Sequence, residues 1–102
     1  MKLVERGYGR PRVAIVGGIH GDEPAGKEVV ERLAHTLEIE DTGTVQLVTA
    51  NERALAVGER YTETDLNRAF PGNPDSDAYE DVLATRLRSI LDGADAVLAL
   101  HT

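Results

Sequence analysis

Residues Arg12–Gly26 read RVAIVGGIHGDEPAG. Arg12–Gly17 is a short β-branched run closed by Gly17-Gly18, the pattern of a buried strand. His20 and Glu23 follow, three apart on a turn flanked by glycines. Pro24 then suits the first position of a helix. Ala25, Val29, Leu33 and Leu37 recur at i+4, with Val30 beside them, and predict one apolar face for that helix. The segment therefore predicts strand, turn and helix in succession, with two potential ligands on the turn.

Working outward, Asp41-Thr42-Gly43 is a turn and Thr44–Thr49 (TVQLVT) alternates as a second strand. A short extra strand fits at Lys2–Glu5. From Ala50 to Pro74 the periodicity is lost, which predicts a long loop, and loops of that length inside a compact domain are usually functional. A second helix is expected from Asp77, with Glu80 three residues on as a capping-box variant. Tyr79, Val82, Leu83, Leu87, Ile90 and Leu91 form its apolar face, and Gly93 stands at the C-cap position. Ala96–Leu100 (AVLAL) is the last strand and runs straight into His101-Thr102. The order predicts an α/β fold with a layered, mostly parallel or mixed sheet flanked by helices.

A chain of 102 residues, 41% hydrophobic and 28% charged, makes one compact domain over residues 1–102. With no Trp and few aromatics, Val, Leu, Ile and Ala must fill the core. The longest apolar runs, Val13–Ile19 and Ala96–Leu100, are too short to span a bilayer, and the N-terminus lacks the regions of a signal peptide. A cytoplasmic protein is expected. The absence of cysteine excludes a thiolate metal site or a Cys nucleophile. A net charge of −7 argues against nucleic acid or an anionic membrane as partner. Lys2 and Lys27 are the only lysines, so the acidic surface fits either a halophilic protein or an ordinary mildly acidic one.

In such folds ligands bind beyond the carboxyl ends of the strands. His20 and Glu23 lie beyond the first buried strand, and His101 lies beyond the last. Two His and one Glu with an open fourth position is the donor set of a catalytic zinc. An HxxE pair alone is a weak signal, because His20 can cap a turn and Glu23 can be a solvated acid at a helix start. His35, on the polar side of the first helix, is expected to be solvated and is given no role. In the loop, Arg60-Tyr61 and Asp65–Gly72 place two guanidinium groups and the Asn67 amide in one segment. Arginines suit bidentate recognition of carboxylates. The competing reading pairs Arg60 and Arg68 with Glu59, Glu63 or Asp65.

Together, GGIHGDEPAG, ERYTETDLNRAFPG and LALHT resemble the succinylglutamate desuccinylase/aspartoacylase family, a branch of the zinc carboxypeptidase-like fold. The likeness runs from about Val13 to Thr102. It implies zinc as cofactor, with His20, Glu23 and His101 as the metal ligands. It implies that Arg60, Asn67 and Arg68 bind the substrate's carboxylate and carbonyl groups, with Arg60 also a candidate for oxyanion stabilisation. The implied reaction is removal of an acyl group from a small anionic N-acyl amino acid. Two departures stand out. The family's Asp-Leu-His reads Ala99-Leu100-His101 here, and the family's catalytic glutamate lies beyond its last zinc ligand, so the chain reads as the N-terminal part of the catalytic domain. Competing functions are a zinc carboxypeptidase and a non-catalytic metal- or anion-binding fragment. Nucleotide binding fails on the absence of a phosphate-loop Lys-Ser/Thr. An exposed sheet edge would also allow homo-oligomers.

Overall fold

A computed structural model describes residues 1–102. The β-branched runs form two strands, β2 (Arg12–Gly17) and β3 (Gly43–Thr49), that pair in parallel with Gly17 opposite Thr49. β1 (Lys2–Tyr8) runs antiparallel along the far side of β3, longer than the expected Lys2–Glu5. The last strand, β4 (Ala96–Ala99), pairs in parallel with β2 and stops one residue earlier than expected. The order β1-β3-β2-β4 makes a mixed, mostly parallel sheet, as anticipated.

Side chains alternate between the two faces of the sheet. The first helix, α1 (Pro24–Thr36), packs on β2 and β3 from one side. The expected apolar face of α1 is wrong in part. Val29 is 45% exposed and Ala25 is exposed, whereas Gly26 and Val30 are buried. The reason is a backbone contact: a Cβ on Gly17 would lie 2.3 Å from the Gly26 carbonyl oxygen. The helix backbone at Gly26 comes this close because the strand carries glycine at position 17, where any side chain would run into it.

The opposite face carries the main core, in which Val16, Ile19, Val48 and Ala50 meet Leu66, Leu83, Ala84 and Leu87. The last three belong to α4 (Tyr79–Leu91), which starts two residues later than expected. Ala78 occupies its N-cap without a side-chain bond. Glu80 is not a capping residue at all. It points inward and is fully buried. Val82, expected on the apolar face, is 39% exposed.

The Ala50–Pro74 segment is not structureless. Asn51 caps α2 (Glu52–Val57) by accepting from the Ala54 amide, and Gly58 ends it in the left-handed conformation. Asp65 caps α3 (Leu66–Ala69) in the same manner. Both helices are only four to six residues long, too short to show a period. Along the sheet's edge, every residue of β4 is exposed. No helix is long and apolar enough to cross a membrane.

Candidate metal centre

The turn after β2 is tied to the molecule through its backbone. The amides of Ala50 and Asn51 donate to the carbonyls of Gly17 and Gly18, at 2.9 and 2.8 Å. Gly21 donates to the Arg60 carbonyl at 3.2 Å. A Cβ on Gly21 would come within 2.1 Å of the Glu59 oxygen and 2.2 Å of the Ala54 carbonyl carbon, so glycine is required there. The turn is thereby pressed against the backbone of residues 54–60. His20, between these ties, is buried.

His20 Nε2 lies 2.9 Å from Asp65 Oδ1. Burial pushes the Asp65 carboxyl up. That effect is outweighed by the His20 bond, the Asn67 amide, the attraction to His20 and the Arg68 amide, so it titrates below the ordinary carboxylate range. An ionised carboxylate only accepts, so Nε2 carries a proton, and in the neutral imidazole Nδ1 is then the nitrogen left with a lone pair. That Nδ1 is buried and has no hydrogen-bond partner. It stands 3.6 Å from Glu23 Oε1. The same oxygen is 3.0 Å from His101 Nδ1. One donor atom from each of His20, Glu23 and His101 falls within 4.8 Å of the others.

Glu23 is likewise held as the anion. Burial raises its carboxyl, but the His101 bond, the attraction to His20 and His101, and the Thr102 amide together bring it below its ordinary value. The two imidazole rings are 5.6 Å apart and tilted by 50°. The residues fit a zinc ion on two counts. The donor set is two imidazoles and a carboxylate, as in catalytic zinc sites. The orphaned Nδ1 of His20, a buried lone pair that is costly to leave without a partner, stands beside the Glu23 oxygen.

Arg60 reaches the cluster from the other side. Its Nη1 is 3.6 Å from Glu23 Oε2 and its Nε is 3.5 Å from Asp65 Oδ2. Those are ion-pair distances rather than tight hydrogen bonds. The competing sequence reading therefore holds for one pair, Arg60 with Asp65, but the Glu23 contact also brings Arg60 to the cluster of His20, Glu23 and His101. Its side chain remains about half exposed and able to meet a ligand. Asn67 and Arg68 are exposed on α3, and their side chains are not drawn into the cluster. His35 is exposed, as expected.

Asp65 is the site residue that sequence reasoning missed, having weighed it only as a salt-bridge partner. It caps α3 through the Asn67 amide at 2.9 Å and braces His20 with the same oxygen. An Asp directly before Leu66 is a helix-capping signal, but nothing local announces the bond to a histidine 45 positions away. The missing carboxylate at Ala99 thus concerns His101 alone, since His20 has one.

A model of the succinylglutamate desuccinylase/aspartoacylase catalytic domain matches residues 9–102. The N-alpha-acetyl-L-2,4-diaminobutyric acid deacetylase of Halomonas elongata is 37% identical over 98% of this chain and 30% of its own length. A crystal structure of a succinylglutamate desuccinylase/aspartoacylase from Rhodobacter sphaeroides superposes with a TM-score of 0.84 at 36% identity, over 98% of this chain and 32% of that one. The product-bound ectoine utilization protein EutE (DoeB) from Ruegeria pomeroyi gives a TM-score of 0.86 at 32% identity, over 98% and 32%. The chain spans about a third of the length of the curated relatives it matches.

Proposed function

This chain belongs to the succinylglutamate desuccinylase/aspartoacylase family, and on that premise we propose that it holds the metal and the carboxylate-binding groups of a zinc-dependent deacylase acting on N-acyl amino acids. The observation that carries the reading is the convergence of His20, Glu23 and His101 with the His20 Nδ1 lone pair unused. Zinc held there would polarise the scissile carbonyl and lower the pKa of water.

The chain's own residues have separable tasks. His20 and His101 supply imidazole nitrogens and Glu23 a carboxylate oxygen. Asp65 keeps the His20 proton on Nε2, so that Nδ1 faces inward deprotonated. Arg60, beside Glu23 and half exposed, is placed to hold negative charge developing on a carbonyl oxygen. Asn67 and Arg68 are free to take a substrate carboxylate, which fixes the reacting end. Glu23 and Asp65 are each committed to a histidine, so neither is free to take a proton from water. The base implied by the family has no counterpart in this cluster.

Titration of the chain with zinc tests the metal assignment. His20→Ala and Glu23→Ala should each lose the bound metal. Unchanged metal content in both variants by elemental analysis would overturn it. Turnover separates the functions. Hydrolysis of N-acetyl-2,4-diaminobutyrate, N-acetylaspartate or N-succinylglutamate in preference to dipeptides supports the deacylase, the reverse preference a carboxypeptidase, and zinc binding without turnover of any of these a metal-binding module.

A further inference from the structure

Glu80 opens α4 yet has no solvent exposure. A buried carboxylate costs several kcal/mol unless it is paired or fully hydrogen-bonded. It is held by donors rather than by a cation. Oε2 accepts from Asn51 Nδ2, the Thr62 amide and Thr62 Oγ1, each at 2.9 Å. Oε1 accepts from the amides of Glu63 at 2.9 Å and Thr64 at 3.0 Å. Five donors saturate the lone-pair sites a carboxylate offers.

The origin of those donors matters. Thr62, Glu63 and Thr64 are the three residues between Tyr61 and Asp65, so they join Arg60 to the carboxylate behind His20. Asn51 is also fully buried. Its amide donates to Gly18, two residues before His20, and its Oδ1 accepts from Ala54. The bonds close a ring: the His20 turn, Asn51, Glu80, the 62–64 amides, Asp65 and back to His20. Glu80 is the one member that binds both halves of that ring while touching no member of the metal cluster.

We propose that Glu80 is a positioning residue for the metal centre. By gathering Asn51 and the Thr62–Thr64 amides it sets Asp65 and Arg60 in place against His20 and Glu23. The inference deepens the deacylase reading and rests on it for the role of the cluster. The side chain best suited to the task is a carboxylate, since both oxygens must accept. A glutamine would turn an NH2 group against backbone N–H donors.

The test compares wild type with Glu80→Gln by amide hydrogen exchange, the 15N resonances of the His20 imidazole, and titration with zinc alone. In Glu80→Gln, exchange at Thr62, Glu63 and Thr64 should rise by about tenfold or more, while β2 and β3 keep their protection. His20 should shift from a single Nε2–H tautomer to a mixture, and zinc affinity should fall by about tenfold, in the direction produced by Asp65→Asn. Glu80→Asp, which keeps two acceptor oxygens, should recover part of the loss. A folded Glu80→Gln with the wild-type tautomer and zinc affinity would overturn the proposal. Should that variant not fold, the wild-type amides decide. Exchange at 62–64 as slow as in β3 supports the pinning, and free exchange overturns it. If wild-type chain binds no zinc, the deacylase reading falls, whereas the tautomer and exchange measurements still decide Glu80.

Discussion

His20 and His101 lean on the same Glu23 oxygen, yet their side chains are 4% and 39% exposed. His20 sits on a turn locked to β3 and to the Arg60 carbonyl, with Asp65 behind its ring. His101 follows a fully exposed edge strand, and its ring is hydrogen-bonded only to the Glu23 carboxylate. His20 is preorganised by its surroundings, and His101 takes its place through its bond to Glu23. Preorganised geometry needs tight packing and buried hydrogen bonds, whose removal is expensive. An exposed side chain gives up little stability when it is altered.

The comparison can be broken first at the backbone. Gly21→Ala drives a Cβ into the Glu59 oxygen and the Ala54 backbone, none of which belongs to a flexible side chain. Urea denaturation should show a loss of about 3 kcal/mol, the upper end for overpacking. Gly26→Ala acts on the other side, where the new Cβ meets the Leu100 carbonyl oxygen at 2.9 Å. Leu100 follows the fully exposed β4 and is tied to β2 by one backbone bond, to Val16, so the clash is milder than at Gly21, and alanine gains about 1 kcal/mol of helix propensity over glycine. That variant should stay within about 1 kcal/mol of wild type. Equal losses in the two variants would remove the distinction between the sides.

A second effect comes with pH. Burial alone raises the Glu80 carboxyl, but the bonds from Thr62, Asn51, Thr64 and Glu63 hold it at about 2 against an ordinary value of 4.5. A folded-state pKa depressed in this way contributes stability that is complete above pH 4.5. The contribution is lost as the pH falls toward 2. Its size is about 3 kcal/mol. Urea midpoints measured between pH 6 and pH 2.5 should fall with acid in wild type and fall less steeply in Glu80→Gln. The His20 side should loosen first, seen as earlier exchange at the 62–64 amides than in β1.

The smallest expected effect separates the two histidines themselves, in the absence of metal. His20→Ala leaves the Asp65 carboxylate without its imidazole and should cost about 1–3 kcal/mol in thermal or urea unfolding. His101→Ala removes an exposed ring and should change stability by no more than about 0.5 kcal/mol. A larger cost at His101 would show that β4 and its following residues brace the site more than their exposure suggests.

The strands and both long helices were legible because each repeats a simple period over enough residues to be read. The two short helices in Ala50–Pro74 were not, since four to six residues hold barely one turn and their signal lies in the caps Asn51 and Asp65. The outward rotation of Ala25 and Val29 was also hidden. Helical spacing names two adjacent stripes, and the Gly17–Gly26 approach selects between them. Glu80 looked like a helix-capping acid because local patterns assign a charge at a helix start to solvent and dipole. Its true donors are 16 to 29 residues away.

The sequence by itself determined the kinds of chemistry available: two imidazoles and a carboxylate beyond strand ends, an arginine and amide segment beside them, and no thiol. These follow from residue identity and short-range order, which the chain carries openly. Only the tertiary structure decided how His20, Glu23 and His101 meet, with Asp65 behind one ring and Glu80 pinning the loop that carries it. Those bonds join residues up to 78 positions apart. Their geometry depends on where the sheet and helices bring distant backbone together, and no local pattern encodes it.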